Sequence, residues 1–488
     1  MDDLPDDVLL EIFRFYVVIY QDLDFHRLFD FRSNRAMIPE IESWQSLVHV
    51  CRRWRGLVFG STRHLNLQIC CFSNRRFAKK HLDVWPALPL VIIGSFFCAK
   101  EDNVIPGLEY SDRICQINLH SFRPSEAKKL WTAMQVPFPE LTGLYLSFGY
   151  PYMWSDPNYF VPVLPNSFLG GSAPRLRSFY LNSIPFPGLP ILLSSATHLV
   201  TLYLLEIPQS GYISPEVMAT CLSMLTSLES LHLEFRSGQS YPGLNGRRPF
   251  PPIRSVLPTL AIFRFKGVNE YLEEFVARID APKLYRLSTT FFIDDWIEFN
   301  ATELNRFISR TPILGICDGA RLIFLGRQAQ VRLRQSHPES SVHRIDEVEI
   351  SSLEPHRQFA SLAQTCTWLH LILTVENLYI DGDPNSPLIR DNDVKHTDWL
   401  DLFLPFTAVK NLYLSNMFLL RIAFVLQEVI GRRTTEVLPA LQSILLEGSH
   451  PPNPSPKPKG IEKFISARQL TNRPVAISVW YREVWDKW

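Results

Sequence analysis

The sequence has no excess of either charge: in a chain of 488 residues, 49 Lys and Arg are matched by 49 Asp and Glu. Without a net field, no nucleic acid and no membrane is an expected partner. Paired cysteine spacings are also missing. Eight cysteines (Cys51, Cys70, Cys71, Cys98, Cys115, Cys221, Cys317 and Cys366) are scattered without a CxxC pair, mostly inside apolar runs, as buried thiols of a reducing compartment are. The opening Met1-Asp2-Asp3-Leu4-Pro5 is acidic where a secretory leader is basic, and the longest apolar run, near Leu90 to Cys98, falls short of the ~20 residues a bilayer requires. A cytoplasmic and/or nuclear location is the expectation.

Motifs that carry chemistry are lacking as well. There is no GxxxxGK[ST] phosphate loop, no GxGxxG fingerprint, no HExxH and no GxSxG. His49 with Cys51, and the vicinal Cys70-Cys71, come nearest to a metal set, yet alternate helical positions point apart and adjacent thiols rarely complete a tetrahedron. Asp294-Asp295 and Asp391-Asn392-Asp393 read as solvated loop acids with no partner base. No catalytic residue, metal or cofactor is assigned, and the chain is not expected to be an enzyme.

What is present is apolar material in quantity, 46% hydrophobic and 12% aromatic residues, more than one compact core uses at this length. In Leu4-Pro5-Asp6-Asp7-Val8-Leu9-Leu10-Glu11-Ile12-Phe13, a proline and two acids precede apolar residues at helical spacing; proline suits a first turn and acids suit the positive end of the helix dipole. A second helical pattern runs from Trp44 through Leu47, Val48, Val50, Cys51, Trp54, Leu57 and Val58. By periodicity alone these are two core helices.

The order of residues says more. The opening segment, followed by Val50-Cys51-Arg52-Arg53-Trp54-Arg55, resembles the F-box motif at both of its ends. The resemblance implies a small helical module over residues 1–70 that docks on a Skp-family adaptor. Leu4, Pro5, Val8, Leu9, Ile12 and Phe13 would form the first half of the adaptor-binding set and Val50, Cys51 and Trp54 the second. Leu4 and Pro5 would make the most direct contacts, while Trp54 packs inside the bundle. Between the halves the chain is longer than the family's usual connection, which marks an insertion at about residues 17–43.

Beyond residue 70 a frame L-x-x-L-x-L, with conservative exchanges, begins at Ile114, Leu141, Leu176, Leu199, Leu228, Leu260, more weakly at Leu284, and again at Val375, Val409 and Leu441. Helical patterns lie between: 124–135, 215–225, 270–279, 302–310, 357–370, 420–431 and 461–470. A strand followed by a helix, repeated, describes a solenoid with a parallel sheet on its concave face. Pro139, Pro174, Pro258, Pro282 and Pro439 stand just before strands, where they end the preceding helix. Spacings from 23 to 35 residues, and the lack of asparagine eight residues after the first leucine, mark an irregular, leucine-rich-repeat-like array. Residues 285–374 are its least regular part, with strands expected near 322–325, 331–333 and 348–350.

The expected architecture is α/β: the helical module at 1–70, a connecting segment with the first strands at 71–113, and the array at 114–488, closed by a strand and cap from Val475. Proline-rich 243–252 and 451–458 read as solvated connections. Within the frame, Tyr145, Tyr180, Tyr203, His232, Tyr379 and Tyr413 lie between the second and third apolar positions and are expected to point outward on the concave face, as substrate-binding residues or as a mere covering of the sheet. As a whole the chain resembles the large fungal, basidiomycete-type F-box families. That implies a substrate-recognition subunit of a Skp-cullin-F-box ubiquitin ligase, joined through the adaptor to a cullin and holding a protein substrate. The alternative is a leucine-rich-repeat scaffold or binding protein whose F-box is degenerate or non-degradative.

Overall fold

An apolar residue at every second position, a turn before it and a helical stretch after it are what a strand-turn-helix unit requires, and the chain builds such units one after another. The computed structural model describes residues 4–17, 43–72, 86–95, 104–122, 124–148, 162–238, 254–292, 301–314, 317–325, 328–334, 347–352, 358–382, 396–430, 436–448 and 459–481. The expected insertion, both proline-rich stretches, Asp294-Asp295 and Asp391-Asn392-Asp393 lie outside them. The chain divides into two compact units, Met1–Thr201 and Leu202–Trp488.

Among the described residues the N-terminal unit begins with three short helices, α1 (Asp6–Tyr16), α2 (Trp44–Val48) and α3 (Arg52–Gly60). Leu9, Phe13, Trp44, Leu47, Val48 and Val58 are buried between them. The Trp44 indole donates to the Gln68 carbonyl at 2.9 Å, tying the helices to the strand that follows. Strands β1 (Ile69–Phe72), β2 (Leu90–Ser95), β3 (Ile114–Phe122), β4 (Gly143–Phe148) and β5 (Ser178–Asn182) then pair in sequence order, all parallel. Helices α4 (Val104–Leu108), α5 (Pro124–Ala133) and α6 (Leu189–Leu193) alternate with them. The first strand thus begins at Ile69, inside the segment assigned to the helical module.

The C-terminal unit runs through β6 (Thr201–Ile207), α7 (Pro215–Leu222), β7 (Ser230–Phe235), β8 (Ser255–Val256), β9 (Ile262–Gly267), α8 (Asn269–Val276), β10 (Ile279–Asp280), β11 (Arg286–Phe291) and α9 (Thr302–Arg310). It continues with β12 (Gly319–Leu325), β13 (Gln328–Arg334), β14 (Glu347–Ser352), α10 (Gln358–Trp368), β15 (Asn377–Gly382), α11 (His396–Phe403), β16 (Asn411–Leu414), α12 (Asn416–Glu428), β17 (Ser443–Glu447), α13 (Lys459–Leu470) and β18 (Ala476–Trp480). Its main sheet has the order β6-β7-β9-β11-β14-β13-β12-β15-β16-β17-β18, while β8 and β10 form a separate parallel pair.

The three strands expected in the irregular stretch exist, but they correct the expectation of a wholly parallel sheet. β13 runs antiparallel to both β12 and β14, so the three appear in the sheet in reverse of their chain order. Only two residues separate β12 from β13, and so short a connection permits only an antiparallel partner. The parallel order resumes with β12 against β15.

In-register pairing turns each frame position into a stripe across the sheet. Leu231, Phe263, Leu287, Leu333, Ala320, Leu378, Leu412 and Ile444 occupy one register column and are all fully buried. Each such leucine or phenylalanine contributes roughly 1.5–3 kcal/mol by leaving water. The first residue of each frame, from Leu141 to Val409, is equally buried, at the turn before its strand. Those turns are linked: the Arg177 amide donates to Thr142 and Val200 to Arg177 in one unit, Lys410 to Glu376 and Gln442 to Lys410 in the other, each at 2.7–2.8 Å. Helices pack on this buried side, α8 against β9, α10 against β13, and α12 against β15 and β17.

Candidate docking surfaces

Two surfaces follow from this architecture. The first is on α1. At ~100° per residue, Leu4, Val8, Ile12, Phe15 and Tyr16 make one stripe of about 120°, and Leu9, Phe13 and Val17 make another beside it. The second stripe is core. The first is in solvent: Leu4 is 37% exposed, Val8 40%, Ile12 48%, Phe15 88% and Tyr16 49%, with Val50 of the neighbouring turn at 58%.

The two sequence segments that carry the F-box resemblance are brought together here. Arg53 donates from Nη2 to Asp6 Oδ1 at 2.7 Å, and also to the Leu4 carbonyl, so α3 holds the start of α1. Arg55 Nε donates to the Val48 carbonyl at 2.9 Å. Pro5 and Cys51 are exposed, and the Cys51 sulfur caps α3 by accepting from the Trp54 amide. Trp54 is half-buried, its ring 4.7 Å from that of Phe13. Leu9 and Phe13, grouped by sequence with the adaptor-binding set, are instead interior. A short helix in a three-helix group must commit one face to its neighbours, and theirs is that face. Phe15, Tyr16 and the Asp6–Arg53 clip were missed by motif matching, although the helical wheel already places both aromatic residues on the exposed stripe.

The second surface is the face of each sheet opposite the packed helices. Tyr145 and Tyr180 are register partners in the N-terminal unit, with ring centroids 6.2 Å apart. In the C-terminal unit Tyr203 stacks on His232 at 3.8 Å, and Tyr379 on its register partner Tyr413 at 4.0 Å; Trp480 meets Tyr413 edge-on at 6.2 Å. Between these clusters the same column carries Arg264, Ser288, Arg332 and Arg321. The frame rule therefore selects the correct face but misjudges exposure. Tyr145, His232 and Tyr379, expected to point into solvent, are buried, whereas Tyr180, Tyr203 and Tyr413 are partly covered. Strands ~4.8 Å apart stack side chains in one column, so adjacent rings cover one another.

The electrostatics fit a closely packed polar ladder. Burial, followed by the neighbouring Tyr413, pushes the Tyr379 phenol well above its ordinary range. Arg321 pairs with Asp381, and Lys266 with Glu206. In the N-terminal unit burial lowers His120 to about 4, leaving it neutral at physiological pH. Among the described residues no group of three His, Cys, Asp or Glu side chains is placed to hold a metal, and no helix is long and apolar enough to cross a membrane.

No family model and no curated protein matches the chain. Among solved structures, the leucine-rich repeat-containing protein LegL7 from Legionella pneumophila is similar at 13% identity and a TM-score of 0.27, over 83% of this chain and 98% of its own. So loose a superposition carries no argument, and the repeat character rests on the strand-helix units described above.

Proposed function

We propose that this chain is the substrate-recruiting subunit of a Skp-cullin-F-box ubiquitin ligase. In this reading the N-terminal helices bind a Skp-family adaptor, and through it a cullin, while the helix-free sheet face holds a protein substrate. The chain contributes no chemistry of its own. Recruitment of this kind raises the local concentration of a substrate lysine near a charged ubiquitin carrier, and needs two binding surfaces on one frame, not an active site.

The observation that carries the reading is the double-faced α1. Its core needs only Leu9, Phe13 and Val17, yet a second apolar stripe from Leu4 to Tyr16 stands in solvent beside exposed Val50, in the two segments that resemble the F-box. Apolar residues concentrated on one exposed helix face mark a partner site more often than chance. The test is a pull-down of the purified chain with a Skp-family adaptor, comparing wild type with Ile12→Asp and with a Leu4→Ala, Pro5→Ala double variant. Adaptor retained by wild type and lost by both variants supports the reading. Failure of a well-folded wild-type chain to bind would leave a repeat-built binding protein with a degenerate F-box. A reconstituted polyubiquitination assay then separates a degradative subunit from a scaffold.

A further inference from the structure

An open cavity of about 530 Å³ lies in the C-terminal unit along one side of α9. Thr302, Asn305, Arg306, Ser309 and Arg310 line it at helical spacing, and Trp368 and His370, from the end of α10 and the turn after it, complete the described part of its wall. Among the described lining residues none belongs to a strand of the main sheet or to the aromatic and charged ladder.

The wall is held in place by a buried amide. Asn305, 6% exposed, donates from Nδ2 to the Trp368 carbonyl and accepts the His370 amide on Oδ1 at 3.3 Å. This clamp fixes a turn on which Trp368 remains 44% exposed. The two guanidiniums are also oriented. Arg310 donates Nε to Asp280 at 2.8 Å and Nη2 to the Val276 carbonyl at 3.3 Å, and Arg306 pairs with Glu303. Among the described residues that line the cavity there is no carboxylate, and neither Asp280 nor Glu303 is one of them. Each guanidinium has five N–H donors, more than these bonds use.

The geometry points to a binding site for a small organic anion, with its carboxylate or phosphate on Arg306 and Arg310 and a flat, unsaturated body against the Trp368 indole. Oriented guanidiniums favour oxyanions, an exposed indole favours a planar partner, and the volume falls within the roughly 300–1,000 Å³ usual for small-molecule sites. This site does not depend on the ligase reading.

Isothermal titration of the full-length chain with benzoate, phenyl phosphate and neutral benzamide tests it. Saturable one-to-one binding of either anion, with benzamide silent, is expected, and the preferred anion separates carboxylate from phosphate. Arg306→Gln should weaken that binding ~10-fold or more, and Trp368→Ala several-fold. Because Arg306→Gln also removes the partner of the buried Glu303, its melting temperature is measured beside its binding, and Trp368→Ala, which breaks no ion pair, supplies the second readout. Equal affinity for benzamide, unchanged binding in both variants, or no saturable heat with either anion in the millimolar range would overturn the inference.

Discussion

Phe13 and Ile12 are chain neighbours on α1 with opposite surroundings, and the contrast can be measured. Phe13 is fully buried and its ring lies 4.7 Å from Trp54. Phe13→Ala removes a complete core side chain, about 3–5 kcal/mol, including an aromatic pair worth roughly 0.5–1.5 kcal/mol. Small helical groups rarely hold more than ~3–5 kcal/mol in total, so this one change should unfold all three helices. Ile12 is 48% exposed, and Ile12→Ala should cost only about 1 kcal/mol. Hydrogen exchange of the intact chain, followed in peptides over residues 6–16 and 44–60, reads both outcomes. Phe13→Ala should bring both regions to near-unprotected exchange, and Ile12→Ala should leave them protected while weakening adaptor capture. Retained protection of residues 44–60 in Phe13→Ala would refute the assignment of core and surface on which the proposed function rests.

Other outcomes follow from packing and charge. Gly460 of α13 lies so close to α12 that an added Cβ would collide with the Ala423 carbonyl, its carbon at 2.8 Å. Backbone cannot rotate away, so Gly460→Ala should lower stability by about 1–3 kcal/mol in denaturant titration despite alanine's better helix propensity. His120 titrates near 4 when folded against 6.5 ordinarily, so the unfolded chain binds more protons between those values; its stabilising share is complete above pH 6.5 and is lost as pH falls toward 4. Glu273 works in the opposite sense. Burial raises its carboxyl from 4.5 to about 7 although it accepts the Glu303 and Leu304 amides, so the folded chain binds more protons in that window and stability falls as pH rises through it. Between pH 4.5 and 6.5 the two slopes oppose each other. Denaturation midpoints of His120→Asn should therefore decline with rising pH relative to wild type, and those of Glu273→Gln should climb; parallel curves for all three proteins would rule out both assignments.

Much of the strand framework was legible because period-two apolar spacing is a local signal. Every frame from Ile114 to Leu441 has a strand at or just after its start, and the helix at 302–310 has the expected bounds. Helices α6 and α11 escaped because they are short and lie beside other apolar stretches. The antiparallel insertion of β13 escaped for a different reason: the spacing locates strands but does not show which edge receives each one. On α1, motif order singled out an apolar segment and could not divide its residues between core and surface. Leu9 and Ile12 are both apolar positions of one motif, and only the placement of α2 and α3 makes the first interior and the second surface.

The sequence by itself determined much of the local grammar: the frame strands and the longer helices between them, the absence of any recognised chemical motif, and the resemblance of its two N-terminal segments to one motif. Tertiary structure alone decided matters that depend on neighbours distant in the chain. It placed Arg468 in full burial, donating to the carbonyls of Leu438, Pro439 and Leu441, where composition would leave a cation in water. It covered Tyr379 with Tyr413. It also set Arg306 and Arg310 across a cavity from Trp368, some sixty residues away. Periodicity records the surroundings a residue needs along its own segment, whereas exposure, pairing and charge environment depend on what packs against it from elsewhere.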